Sequence, residues 1–401
     1  MAAYFFFAGM LLVHGYVFWS VRHMVAAGYP DFTSFYGAGL SLRQGQGSQL
    51  YDPEEQWRTQ QVFAQRVRIR RGPLPYLRPP FETLLFVPLT LLSYPRAYLL
   101  WTAINLGIAV WVPFLLRRHV PDLRPVSSWL LALLPLAFTP IFFALVQGQD
   151  SILLLLLYSL AYLALQKEAD LCAGCWLALG LFKPHLVVPF VIILFFQGRR
   201  KVAWGFSWIA AFLLVVSVAI VGWRKLMHYP GYIWWLEQHT GRGLVLPRDT
   251  PNLRGLVEGF TSGLMSASVA LLVIAVTSVA IVIWAAKGGR PEKNERIRDL
   301  VFCQALVATF LVSYHAFAYD LAVMLLPIAL LAGRVIKGGP KLSVWDESAL
   351  LAPVVVLLFG PIYPLLWLRF HFMNLLAIVL MLWMWGLSRE ISRLRAAAPP
   401  V

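Results

Sequence analysis

Apolar runs of ~17–25 residues, each long enough to cross a ~30 Å hydrocarbon core as a helix, recur along nearly the whole of this 401-residue sequence. They lie near 4–22, 80–94, 96–116, 127–146, 150–166, 172–197, 203–222, 263–286, 300–317, 320–336, 348–368 and 371–388. The runs at 80–94 and 150–166 are short, so about 10–12 transmembrane helices are expected. Hydrophobic residues make up 59% of the chain and charged residues 13%. A soluble domain has nowhere to hide that much apolar surface. The expected fold class is an all-α polytopic integral membrane protein, with residues 1–401 forming a single membrane domain. The first run lacks a basic leader and no small-x-small site follows it, so it reads as a span rather than a cleaved signal.

Short basic loops set orientation. QGRRK (197–201), KGGRPEKNERIR (287–298), GRVIKGGPK (333–341) and SREISRLR (388–395) fall on alternate turns of the path and mark the cytoplasmic side. An even number of spans then puts the N-terminus inside, residues 24–79 and 223–262 in two long outer loops, and 389–401 in a cytoplasmic tail. The basic stretch LRRHVPDLRP (116–125) falls outside on this path, against the same rule. The net charge of +15 sits mainly in loops, where it fixes topology and meets anionic headgroups; membrane lipids are the expected partner, and no nucleic acid. CAGC at Cys172–Cys175 opens an apolar run and has no second pair to complete a zinc site.

The first outer loop has local structure of its own. Phe32, Phe35, Gly39 and Leu42 mark one face of an amphipathic helix beginning at Pro30-Asp31. In YDPEEQW, Asp52 is an N-cap, Pro53 the first helical residue, and Glu54 and Glu55 fill the first turn. Such helices are expected at the membrane surface. Arg66, Arg68, Arg70 and Arg71 crowd together behind them, and Pro79-Pro80 marks re-entry into the membrane.

Asp31 is the sharpest candidate. It reads either as a plain helix cap or as a reactive carboxylate at the lipid–water boundary, ringed by Tyr29, Phe32, Phe35 and Tyr36. Ionisable residues within apolar runs are costly and point to function or to interhelical bonding. The candidates are His315, Tyr319 and Asp320 in SYHAFAYDL, Lys183 and His185 in GLFKPH, and, between two runs, the polar group Gln147, Gln149 and Asp150 in VQGQDS. In the second outer loop Tyr229, Tyr232, Trp234 and Trp235 form an aromatic belt or a sugar-stacking surface, with Glu237, Gln238, His239 and Asn252 as polar partners. Walker, Rossmann, zincin and nucleophile-elbow motifs are absent, and so is the Asp-x-Asp that holds a metal on a nucleotide sugar. Neither a cofactor nor a bound metal is expected.

DFTSFYGAGLSLRQGQGSQLYDPEEQW, YLRPPFETLLFVPLTLLSYPRAYLLWTAINL, GQDSILLLLL, GLFKPH and SYHAFAYDL occur in that order, and together they resemble glycosyltransferase family 87. The resemblance implies a GT-C-like bundle in a bacterial plasma membrane, with its active site facing the periplasm or exterior. It implies inverting transfer of a sugar, mannose by preference, from a polyprenyl-phosphate donor to a lipid or glycan hydroxyl. By position the essential acid is Asp31, with His315 as the histidine of the later outer motif. Where family members often carry Tyr before the double proline, this chain has Arg78. Donor-phosphate and substrate contacts are expected from Arg78, Lys183, Tyr36, Gln149, Asn252, Tyr319 and Asp320. The alternative is a polytopic transporter or lipid flippase with an intramembrane His/Lys/Asp path. It predicts repeat symmetry and polar groups spread through the midplane, whereas the acids here gather at one face and no repeat is visible.

Overall fold

The computed structural model describes residues 2–67, 72–244, 246–261, 264–289, 294–337 and 343–397, with side chains described except at 2–3, 237–244 and 333–337. Arg68, Arg70, Arg71 and the side chains of Glu237, Gln238 and His239 therefore lie outside the described residues. Among the described residues every regular element is helical. Five stretches are long and apolar enough to cross a membrane: Tyr4–Arg43, Tyr94–His119, Arg200–Val221, Ala267–Gly288 and Met373–Ala396. Two bent pairs raise this to seven, Ser128–Ala137 with Thr139–Gln147 (58°) and Val344–Leu358 with Ile362–Phe370 (82°). Five shorter apolar helices complete the bundle, so the chain is an all-α polytopic membrane protein.

The path runs between two ends. Helix α1 (Ala2–Ala27) leads to the upper end, where α2 (Phe32–Arg43), α3 (Pro53–Gln61) and α4 (Thr83–Phe86) pack together. Helix α5 (Tyr94–His119) descends, and α6 (Ser128–Ala137) and α7 (Thr139–Gln147) return. Next come α8 (Ser151–Gln166), α9 (Asp170–Leu179), α10 (Pro184–Phe196) and α11 (Arg200–Val221). Helices α12 (Trp223–Leu244) and α13 (Leu253–Thr261) lie at the upper end. The remainder are α14 (Ala267–Gly288), α15 (Glu295–Val312), α16 (Leu325–Lys337), α17 (Val344–Leu358), α18 (Ile362–Pro364, continued by a π-helical turn to Phe370) and α19 (Leu376–Ala396).

Interhelical bonds pin the lower end. Tyr162 and Gln166 donate to Asp299 Oδ1 at 2.7 and 2.5 Å, Gln197 donates to the Ala285 carbonyl at 3.1 Å, and Arg395 to the Gly288 carbonyl at 2.7 Å. At the upper end the Asp31 N–H donates to Gln147 Oε1 at 3.1 Å, and Asn252 Nδ2 to the Ser313 carbonyl at 2.7 Å. The largest core surrounds α8 and α15, where every residue from Leu300 to Leu311 is buried. Outward faces carry exposed Leu12, Trp208, Phe212 and Val276, as expected where lipid replaces water.

Four expectations change. Residues 80–94 do not form a span: Pro80–Glu82, Thr83–Phe86 and Pro88–Leu91 are short turns, broken by prolines that remove backbone donors. The run 172–197 is not one span but two helices. It breaks at Lys183-Pro184, because the residue before proline avoids helical geometry and a buried cation needs partners. These two changes shift the side of 116–125, which belongs at the lower end: the charge of Asp122 bears on Asp299 there, and the conflict with the other basic loops disappears. Helix α2 is buried on its polar side too, Thr33, Ser34 and Ser41 included, rather than lying on a surface. The Asp52 cap stands as expected, accepting from the Glu54 and Glu55 N–H groups.

Candidate active site

Helix caps and breaks deliver the polar groups of the upper end to one place. Helix α7 ends at Gly148 in a left-handed conformation, which turns Gln147 and Gln149 toward the start of α2. Asp31 does not cap α2; its backbone is already helical and its side chain makes no cap bond. Instead Gln149 Nε2 donates to Asp31 Oδ2 at 2.7 Å. Arg78 Nη2 donates to Gln149 Oε1 at 3.0 Å and to Asp150 Oδ1 at 3.3 Å, and its Nη1 reaches the Phe182 carbonyl at 3.4 Å. Asp31 is thus tied through one amide to an arginine.

Asp31, Arg78 and Gln149 line a cavity of about 700 Å³ together with His185, Arg254, His315, Tyr319 and Asp320. Apolar walls come from Phe35, Phe182 and Phe317, and from Tyr229, Pro230 and Ile233 of α12. The His315 ring sits 6.2 Å from the His185 ring and edge-on to Phe317 at 4.9 Å. Burial, helped by the cations Arg254 and Arg78, holds the His315 imidazole down at about 4, so it is neutral at physiological pH. Tyr319 stands in the field of the Asp31 carboxylate.

Lys183 is not on the cavity wall. Its fully buried Nζ bonds Asp150 Oδ1 at 2.7 Å, Asp320 Oδ1 at 2.5 Å and Ser151 Oγ at 2.6 Å. It joins α8, α10 and the 3-10 turn Ala318–Met324 from behind the cavity. Asp320 Oδ2 accepts the Phe317 N–H at 2.9 Å, which shapes the loop carrying His315. Tyr36 points away, donating to the Leu92 carbonyl at 2.8 Å. Asn252 holds the Ser313 carbonyl and accepts the Gly255 N–H at 2.8 Å, so it braces the same loop from outside the cavity.

Two groups escaped the sequence reading. Glu82, fully buried, accepts from Tyr76 Oη at 3.2 Å. Its Oε1 and Asp150 Oδ2 are both buried without an N–H or hydroxyl donor, and the two carboxyls bond one another. One proton must lie between them. Burial and the Asp150 charge push the Glu82 carboxyl well above its usual range. Burial would raise Asp150 as well, but the Arg78 and Lys183 charges hold it below the ordinary carboxylate range, so Glu82 carries the proton. The signal was an acid directly after RPPF inside an apolar stretch. Arg254 is the second: its guanidinium lies 3.9 Å from the Tyr314 ring centre and its Nε pairs with Glu258 at 3.1 Å. Its signal was the arginine of PNLRG. Among the described residues no group of three His, Cys, Asp or Glu is arranged to hold a metal ion.

The sequence model of glycosyltransferase family 87 matches residues 76–314. That stretch contains Arg78, Glu82, Gln149, Asp150, Lys183, Asn252 and Arg254; Asp31 precedes it, and His315, Tyr319 and Asp320 follow at once. No curated protein and no solved structure matches the chain. With more than half of its length matched, and with the helical bundle and polar cavity described above, the chain belongs to glycosyltransferase family 87.

Proposed function

We propose that this glycosyltransferase moves a sugar, mannose by preference, with inversion, from a polyprenyl-phosphate donor to a lipid or glycan hydroxyl on the extracytoplasmic face of a bacterial plasma membrane. The observation that carries the proposal is the Asp31–Gln149–Arg78 chain on the wall of a cavity whose other walls are largely apolar. An acid and an arginine beside apolar surface suit a substrate with a lipid tail, a phosphate and a sugar. The sidedness is supported by the lower end, where the basic stretches 116–125, 197–201 and 388–395 gather; the cavity is at the opposite end.

In the reaction, Asp31 accepts the proton of the acceptor hydroxyl. The acceptor oxygen bonds the anomeric carbon from the face opposite the phosphate, and the carbon–phosphate oxygen bond breaks with its electron pair going to the phosphate. A phosphate is a stable anion as it leaves, so no second carboxylic acid is needed to protonate it, unlike the paired acids of glycoside hydrolysis. General-base help of this kind contributes typically ~10²–10⁴-fold. Arg78 and Arg254 offset the phosphate charge, and the neutral His315 offers an N–H to a phosphate oxygen or relays the proton.

The test is transfer from polyprenyl-phosphate mannose to a membrane lipid extract by purified protein in proteoliposomes. Wild type is expected to give a glycosylated lipid and Asp31→Asn to give none above background. Undiminished transfer by Asp31→Asn removes Asp31 as base; no product from wild type with any polyprenyl-phosphate hexose removes the donor class.

A further inference from the structure

A second cavity, of about 520 Å³, opens at the lower end, far from Asp31. Its walls come from the end of α8, the start of α9, the turn between α10 and α11, and α15. Four cations line it: Arg199, Arg200, Lys201 and Arg298. Against them stand Glu168 and Asp170 on the wall, with Asp299 behind Tyr162 and Gln166. Arg199 is neutralised by Asp170 at 2.8 Å. Arg298 approaches Glu168 and Glu295 only at 3.9 Å, and its Nε is buried with no hydrogen-bond partner. Arg200 and Lys201 make no hydrogen bond or ion pair among the described residues.

The placement of these charges runs against helix physics. Arg199 sits at the cap of helix α11, which opens with Arg200-Lys201 and has no acid in its first turn. Cations there face the positive end of the helix dipole and its unbonded N–H groups, an arrangement that an anion would relieve. Topology alone explains cations in a cytoplasmic loop; it does not explain a concave site lined by Arg200, Lys201 and an Arg298 whose buried Nε has no partner. Phe196, just before the α10–α11 turn, and Trp204 and Trp208 on α11 are exposed large apolar side chains.

We propose that this cavity is an anion site for a phosphate monoester or diester, held by Arg200, Lys201 and Arg298, with a phospholipid headgroup or a soluble phosphate ester as its source. It is separate from the transfer site and does not rest on the donor assigned above. A phospholipid would lay its acyl chains along α10 and α11 beside Phe196 and Trp204, in the manner of basic pockets between transmembrane helices.

The experiment is native mass spectrometry of the full chain released from nanodiscs of phosphatidylcholine containing one-tenth phosphatidylglycerol, and separately from pure phosphatidylcholine nanodiscs supplied with glycerol 3-phosphate. The variants are Arg200→Gln/Lys201→Gln, Arg298→Gln and, as a charge-matched control at the same end, Arg118→Gln/Arg124→Gln. Melting temperature checks that each is folded. Wild type and the control are expected to retain one anionic ligand at least tenfold more often than either cavity variant. Retention of phosphatidylglycerol alone identifies a lipid headgroup, and retention of glycerol 3-phosphate as well identifies a soluble ester. Equal retention by wild type and the cavity variants, or an equal loss in the control, overturns the site.

Discussion

Gln149 Nε2 donates to Asp31 Oδ2 at 2.7 Å, joining residues 118 positions apart in sequence. The other end of the same amide accepts from Arg78 at 3.0 Å, so the amide has one orientation available and the carboxylate is aimed. On the proposed mechanism, Asp31→Asn lowers kcat by ~10²–10⁴-fold with little change in KM, because the base acts in the transition state rather than in binding. Gln149→Ala leaves the acid in place but free to turn, and is expected to lower kcat about tenfold. Steady-state kinetics on polyprenyl-phosphate mannose check both. A KM effect with kcat intact would make Gln149 a binding residue instead.

Lys183 is predicted to matter for folding rather than phosphate binding. Its Nζ lies between Asp150 and Asp320 at 2.7 and 2.5 Å, fully buried. Removing one member of a buried ion group strands the others, at about 3–5 kcal/mol. Lys183→Met should therefore unfold at much lower temperature in detergent, and adding Asp320→Asn should restore part of the loss. A Lys183→Met protein with wild-type melting and a raised KM would return Lys183 to the phosphate.

Glu82 offers a sharper chemical test. A carboxylic acid that donates to Asp150 resembles an amide in shape and in its donor. Glu82→Gln should keep near-normal stability and activity. Glu82→Ala leaves Asp150 Oδ2 without a donor, at about 1–3 kcal/mol for a buried group, while Tyr76 Oη keeps the Pro79 carbonyl as acceptor at 3.3 Å. Thermal melting separates the two variants; a Gln variant as damaged as the Ala variant would mean that Glu82 acts as an anion.

The class of fold was legible because lipid imposes apolar runs of a fixed minimum length. The polar cluster was partly legible as well: ionisable groups in or beside such runs are costly, and His315 and Asp320 do meet Asp31, from the first outer loop, and Gln149 at one cavity. What the sequence hid was pairing. Nothing local distinguishes Lys183, which is buried behind the wall, from Arg78, which lines it; both are single cations beside proline. The broken run at 172–197 was hidden for the same reason, since its break is stabilised by Asp150 and Asp320 from distant segments. Helix α2 reads as amphipathic, but Ser41 bonds Thr59 at 3.2 Å and Thr33 bonds the Gly28 carbonyl at 2.7 Å, so its polar face is satisfied inside protein.

His315 sets the pH behaviour. Its folded value, about 4, lies below the ordinary 6.5, so the unfolded chain takes up the proton first as pH falls. The stability tied to a neutral His315 is fully present above 6.5 and is lost progressively between 6.5 and about 4. Melting temperature should thus fall on acidification more steeply for wild type than for His315→Gln. Near pH 6.5, where a free histidine titrates, the two should have pH–rate profiles of the same shape. A wild-type limb at that pH, absent from the variant, would show that the imidazole is charged during turnover.

Gly148 links backbone geometry to the aim of Asp31. It ends α7 at φ 63°, with the Gln149 N–H returning to the Ala144 carbonyl at 2.8 Å. A Cβ there would stand 2.6 Å from the Phe32 Cβ, on the residue next to Asp31. Gly148→Ala therefore carries both a left-handed backbone cost of order 1–3 kcal/mol and a push on the start of α2. Gly45 has a similar φ of 78° with nothing within 4 Å of its would-be Cβ, so Gly45→Ala carries the backbone cost alone. Gly148→Ala should lose more melting temperature than Gly45→Ala, and only Gly148→Ala should lose most of its kcat at a temperature where both are folded. Equal activity in both would mean that the Asp31 carboxylate tolerates displacement, and the tight geometry of the Asp31–Gln149 pair would then be incidental to transfer.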